Sequence, residues 1–356
     1  MFGEKCVLNV HTKQYCCNNP QCHRAAVQMP DTSCFDTNHK VTVRLKNEII
    51  KLCLEGNTYT EIASQFGINR QTVKRIYGEY VDTFILQRKY ILPNFLEIKS
   101  IYIAGEFRLQ LNDITKNRSR LLEIKENNDV STLEKIFNLF TEAQKTHVMV
   151  IAMDFNDGFR ACSYECFKNF PTEILVERFI ITQVTIKAMR KVCNRILGQI
   201  ISESKGRSEV TLNIKDLIYF MSANPEDLSY DEKLYFIDMI ANYPKFEQAY
   251  VLKEELFVIC YKDKSIQKLD EWIESIPKKD SVFIDFQIVA KLFDSWRFEI
   301  INTFKYADDI SGSSEIFSID KKIKQFARGM KNSNFVDNIN DILVKMDYFY
   351  LKTDKI

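Results

Sequence analysis

The stretch that most constrains this chain is residues 95–114, FLEIKSIYIAGEFRLQLNDI. Its apolar residues alternate, at Ile101 and Ile103 and then at Phe107, Leu109 and Leu111, and only Ala104-Gly105 interrupts them. Alternation with a period of two builds a strand with one buried face, and a glycine inside such a run marks a turn or bulge. Two adjacent strands are expected here, with a third over residues 120–124 after the polar turn Thr115-Lys-Asn-Arg. Helical spacing follows over residues 130–146, at Leu133, Ile136, Phe137, Leu139 and Phe140. Residues 147–154 then read as a buried strand ending in an acid, Asp154. The order of these segments opens a mixed α/β sheet.

Upstream lies the clearest local motif. Residues 41–54 carry Val43, Leu45, Ile49, Ile50 and Cys53 at helical spacing, and Glu55-Gly-Asn stops them. Thr58 followed three residues later by Glu61 forms a capping box for a second helix, and Gly67 ends it. A third helix starts at Arg70, so the segment reads as helix, tight turn, helix. In that arrangement Ile62, Ala63, Ile68, Val73 and Ile76 point inward. Asn69, Arg70, Gln71, Thr72, Lys74 and Arg75 are left outside. Arg and Gln at the start of a recognition helix suit the edges of guanine and adenine, and Lys74 suits a phosphate. A helical hairpin that only packed or dimerised would present apolar side chains at these positions, so double-stranded DNA is the expected partner.

The net charge of +1 gives no whole-chain argument for nucleic acid, so any basic surface must be local. A length of 356 residues allows two or three modules. Five of the ten cysteines fall before residue 35, among them Cys17 and Cys22, which are spaced as one pair of a zinc ribbon. Zinc needs four ligands, and no second pair is evident, so the alternative is free thiols in a truncated ribbon. No signal peptide is seen, and no apolar run approaches the ~18 residues that span a bilayer. These features imply a cytoplasmic, nucleoid-associated protein without a membrane partner. No phosphate-binding glycine loop and no internal repeat are found. The four histidines are not placed for nucleophilic catalysis.

The run Ile101-Tyr-Ile-Ala-Gly-Glu-Phe-Arg resembles the first strands of insertion-sequence transposases of the ISL-three group, whose RNase H-like core holds metal ions with an Asp-Asp-Glu set. The resemblance covers about residues 7–345. Those proteins carry Asp-Glu immediately before this run, where the present chain has Lys99-Ser100. Asp154-Phe-Asn-Asp-Gly-Phe matches the second acid, with Asp157 close by; a helix-capping turn is the alternative for Asp154. The family's Asp-Arg-Phe-His becomes Glu177-Arg-Phe-Ile180. The helix carrying the third acid, Glu-Gly-Ile-Asn-Asn-Lys-Ile-Lys in the family, fits Ile319, Lys322, Ile323, Lys324 and Arg328, which puts Phe317 at the glutamate. Glu315 stands two residues early, about 200° around a helix. Lys321, Lys322, Lys324 and Arg328 form a basic cluster suited to DNA phosphates, or a plain solvated face.

Two-metal phosphoryl transfer needs carboxylates that hold two divalent ions ~3.5–4 Å apart. A lysine in place of one acid reverses a charge worth up to ~4 kcal/mol per unit pair at ~4 Å in an effective dielectric of ~20. A phenylalanine in place of another removes a ligand. The expected protein therefore binds DNA without cutting it, needs no cofactor and acts as a regulator or repressor at transposon-end-like DNA. Two alternatives are an active transposase using magnesium at a shifted site of Asp154, Glu177 and Glu315, and a relic without function. An ammonium of Lys99 paired with Asp154 would stand in for the ion.

The expected organisation is a zinc-ribbon-like segment (1–38), a helix-turn-helix domain (39–90), the first part of an RNase H-like core (91–180), a helical insertion (181–305) and C-terminal helices completing the core (306–356). Within the insertion, helices are expected over 183–201, 230–242, 246–260, 266–276 and 286–304. Trp272, Trp296, Phe257 and Phe304 would serve as packing residues. A homodimer is the expected assembly.

Overall fold

The computed structural model describes residues 13–15, 18–21, 27–29, 35–36, 41–89, 91–203, 214–223, 225–241, 243–330 and 335–353. They fall into two units, one of Met1–Tyr90, Ile103–Glu106 and Asp320–Ile356, the other of Ile91–Tyr102 and Phe107–Ile319.

In the first unit, β1 (Lys13–Tyr15) pairs antiparallel with β2 (Val27–Met29), and β3 (Phe35–Asp36) with β4 (Val41–Thr42). Three helices follow: α1 (Val43–Leu54), α2 (Tyr59–Phe66) and α3 (Arg70–Gln87). The Thr58 hydroxyl accepts the Glu61 N–H while the Glu61 carboxylate accepts the Thr58 N–H, which satisfies two amides that the helix start leaves open. Gly67 ends α2 at φ 65°, a left-handed conformation costing other residues about 1 kcal/mol or more. Ile49, Cys53, Ile62, Val73, Ile76 and Tyr77 close the core between the helices.

The second unit is built on a five-stranded sheet, β5 (Phe95–Ile103), β6 (Glu106–Asp113), β7 (Arg120–Lys125), β8 (Val150–Met153) and β9 (Glu173–Val176), in the order β7-β6-β5-β8-β9. The turn Ala104-Gly105, with φ of 53° and 90°, joins β5 to β6 as a hairpin. β5, β8 and β9 run parallel, and β7 returns antiparallel to β6. This is the RNase H-like mixed sheet that the sequence implied. The short buried strand β8 has apolar residues on both faces. Ile151 and Met153 join Leu96, Ile98, Ile174 and Val176 on one side. Val150 and Ala152 join Phe95, Leu175, Ile310 and Ile316 on the other.

The helix expected over residues 130–146 is two, α4 (Val130–Asn138) and α5 (Glu142–Lys145), because Thr141 and Gln144 form a capping box that restarts the turn. After β8 comes α6 (Asp157–Cys166), and after β9 comes α7 (Arg178–Glu203). The helical part continues through α8 (Ile214–Ser222), α9 (Tyr230–Ile240), α10 (Pro244–Val258), α11 (Ile266–Ser275), α12 (Ile284–Ser295) and α13 (Arg297–Lys305). α7 carries Met189, Val192 and Cys193 fully buried, and α10 and α12 pack against it. One hydrophobic core runs without a break from the sheet into these helices.

The helix expected over residues 286–304 breaks at Trp296. Its buried indole lies under the Arg160 guanidinium at 4.1 Å and edge-on to Phe155 at 5.4 Å. The break redirects α13 along the outer edge of β9. There Asn302 Nδ2 donates to the Ile174 carbonyl at 2.8 Å and Thr303 Oγ1 to that of Val176 at 2.6 Å. An edge strand's open backbone groups are thereby satisfied.

Two further helices end the chain, α14 (Ser313–Phe326) and α15 (Phe335–Thr353). Residues 306–356 divide between the units. Ile310 and Ile316 pack on the sheet, whereas α15 lies on the helix-turn-helix. Val344 enters the core of α1–α3, the Tyr77 hydroxyl donates to Asp341 Oδ1 at 2.7 Å, and Arg88 Nε donates to Asp347 Oδ2 at 2.6 Å. Among the described residues no helix is long and apolar enough to cross a membrane.

Candidate functional site

The start of α3 is fixed by Asn69, whose side chain accepts the Gln71 N–H at 2.8 Å. Val73 and Ile76 anchor the opposite face at zero exposure. With that face buried, Asn69, Arg70, Gln71, Lys74 and Arg75 are exposed and Thr72 is half-buried. Asn69 is thus committed through its carbonyl oxygen, while the side chains of Arg70, Gln71, Lys74 and Arg75 project from one solvent-facing surface of a capped helix.

On the sheet, the register of β5, β8 and β9 aligns Ile98, Met153 and Val176. The next residues, Lys99, Asp154 and Glu177, therefore occupy one row at the carboxyl ends of β8 and β9 and level with them on β5. Asp154 does not cap α6. The cap is Asn156, which accepts the Phe159 N–H, and Asp157 is turned to solvent beside Arg160 at 2.8 Å. Burial holds the Asp154 carboxyl above the usual carboxylate range, its own backbone N–H opposes this, and the charge of Glu97 adds to the rise.

Glu97 is the residue that sequence reasoning passed over. It lies two positions before Lys99 on the same face of β5 and is fully buried. Asn112 Nδ2 donates to its Oε2, Gln110 Nε2 donates to Asn112 Oδ1 at 3.0 Å, and Lys99 Nζ stands 3.4 Å from the same Oε2. The ion pair found at Lys99 is thus with Glu97, in place of the pairing expected with Asp154. The only signal in the sequence is an acid at an inward-alternating strand position.

The segment expected to carry the third acid is the start of α14. Ile316 on α14 faces the sheet, and Phe317 beside it is 44% exposed with its ring edge-on to Phe179 at 4.6 Å. Glu315 accepts a hydrogen bond from Ser119 Oγ at 3.3 Å, and that hydroxyl is also bonded to Ser311. In the basic cluster, Lys321, Lys324 and Arg328 are exposed at positions i, i+3 and i+7. Lys322 is instead drawn over the rings of Phe326 and Phe349, at 5.2 and 4.7 Å.

A metal centre needs several donors converging on one point. Among the described residues no group of three or more His, Cys, Asp or Glu is placed to hold an ion. In the row itself the donors are two carboxylates beside an ammonium already paired. The described residues do not fit the divalent ions of an Asp-Asp-Glu set. Cys17 and Cys22, the expected zinc ligands, lie outside the described residues.

Two family models match the chain. One, of the DDE type and the ISL-three group and described as Transposase, spans residues 101–338. The other, described as Homeodomain-like domain, spans residues 38–83. No curated protein matches it.

Proposed function

This chain belongs to the ISL-three family of DDE transposases, and from that premise we propose that it binds double-stranded DNA through its helix-turn-helix and no longer cuts it. It is a transposase-like DNA-binding protein. Its role in this reading is that of a regulator or repressor at transposon-end-like DNA, in the nucleoid of the cytoplasm and as a homodimer. The observation that carries the loss of cutting is the ion pair of Lys99 with Glu97, at the strand position where the family has its first acid. The family match itself begins two residues beyond Lys99. Phe317, edge-on to Phe179 at the position the resemblance gives to the third acid, supports the same reading.

For DNA binding, Arg70 and Gln71 at the head of α3 would read base edges in the major groove, and Lys74 and Arg75 would hold phosphates. Asn69 and Thr72 set the start of the helix and adjoin the backbone. Lys321, Lys324 and Arg328 offer a second phosphate-binding face. Neither zinc nor magnesium is needed for this activity.

The test selects a bound duplex from a randomised library and then measures binding and strand cleavage of that duplex with Mg²⁺ or Mn²⁺. Specific binding without cutting is expected. Cutting that disappears in Asp154→Asn would show an active, shifted site using Asp154, Glu177 or Glu315. No selected sequence at all would indicate a relic.

A further inference from the structure

β6 alternates Leu109 and Leu111 with Arg108, Gln110 and Asn112, a pattern that normally turns its polar side to water. Here the polar side is hidden, with Arg108, Gln110, Asn112 and the facing Glu97 at zero exposure. Within this enclosure Glu97 Oε1 and Asp154 Oδ1 are buried without a hydrogen-bond partner. Carboxylate oxygens so placed are strongly disfavoured unless a proton or a positive charge stands near them. Besides the buried Arg108, a second cation stands at Glu97: Lys99, with its side chain 14% exposed and its ammonium 3.4 Å from Glu97 Oε2.

We propose that Lys99 is an internal counter-cation, whose ammonium on Glu97 supplies the positive charge that a divalent ion would otherwise bring to this buried carboxylate. The sheet is then stable with no ion bound. Two features set this device apart from a simple loss of a ligand. The acid it neutralises lies on the same strand two residues away, so the pair forms wherever β5 forms. The amide of Asn112 orders the same carboxylate oxygen, which fixes Glu97 toward Lys99. Removing the ammonium leaves two buried carboxyl groups that can take up a divalent cation. The proposal rests on the reading that this site no longer cuts DNA, but it concerns ion binding and is read without DNA.

The experiment follows thermal unfolding of the full chain in MnCl2 and in EDTA. Wild type is expected to melt at the same temperature in both. Lys99→Gln is expected to melt lower in EDTA and to rise by about 3 °C or more once Mn²⁺ exceeds its Kd tenfold. Lys99→Gln combined with Glu97→Gln is expected to show no rise. Lys99→Arg keeps the cation and should match wild type, which preserves the test if Lys99→Gln fails to fold. A saturable rise in wild type or Lys99→Arg that is lost in Glu97→Gln overturns the proposal, as does a folded Lys99→Gln that ignores Mn²⁺. Strand cutting by a wild type whose melting ignores Mn²⁺ would sink the non-cutting reading and leave the counter-cation standing.

Discussion

The ammonium of Lys99 lies 3.4 Å from Oε2 of Glu97, two residues back along the same face of β5. Both side chains are more than four-fifths buried, so solvent screens the pair little. Glu97→Ala removes the carboxylate that both Lys99 and the Asn112 amide engage. A loss of about 3–5 kcal/mol is expected in urea unfolding, the usual result of breaking a buried ion pair from one side. Glu97→Ala together with Lys99→Met should recover most of it.

Asp154 gives the fold a particular pH dependence. Burial raises its carboxyl above the unfolded value, so between those two values the folded state binds more protons than the unfolded one. This contribution to stability is therefore complete at low pH and is lost as pH rises through the folded value. Asp154→Asn removes that loss. It should melt above wild type at pH 7, with the gap closing as pH falls below about 4. Parallel melting curves at every pH would show that Asp154 is not perturbed by burial.

The Tyr77 hydroxyl donates to Asp341 across 264 residues of sequence, joining α3 to α15. Burial pushes the Tyr77 phenol far up, the nearby Asp341 carboxylate adds to this, and the proton stays on the oxygen at any ordinary pH. Tyr77→Phe should cost about 1.5–3 kcal/mol, the range for a hydrogen bond to a charged acceptor. Chemical denaturation followed by the helix signal measures it.

Ala104 stands at φ 53° in the β5–β6 hairpin, a turn that favours Asn-Gly over Ala-Gly. Ala104→Asn should stabilise the chain by about 0.5–1 kcal/mol by relieving left-handed strain on a residue with a Cβ. The same denaturation midpoint reads it. A loss of stability would mean that the alanine methyl makes a contact worth more than the strain.

On the selected duplex, Arg70→Ala should cost about 1–3 kcal/mol and relax preference at one base position. Lys74→Ala should instead weaken binding to all sequences alike and lower the slope of log K against log salt by about 1. Fluorescence anisotropy over a salt series separates the two.

Local chemistry carried much of this architecture. The alternation at Ile101, Ile103, Leu109 and Leu111 marked β5 and β6, and Thr58, Glu61 and Gly67 bounded α2, because strand pleat and helix caps are written within a few residues. The break between α4 and α5 was equally legible in Thr141 and Gln144, but the apolar period of Leu139 and Phe140 ran through it. Burial of the polar stripe Arg108, Gln110 and Asn112 was not legible, since what covers a strand face is decided by distant segments. For the same reason Glu97 drew no notice, and Lys99 was expected to pair with Asp154 where the structure pairs it with Glu97. The break at Trp296 depends on Arg160 and Phe155, more than 130 residues earlier. The helix-turn-helix gave no local hint that α15 belongs to it.

That last packing joins segments 264 residues apart in the sequence. During synthesis α1–α3 emerge first, but Val344, Asp341 and Asp347 reach them only after the long intervening stretch has been made. A product released early by a nonsense codon would carry the recognition helix on an unfinished core. The three-helix module therefore closes its own core only once α15 has been made.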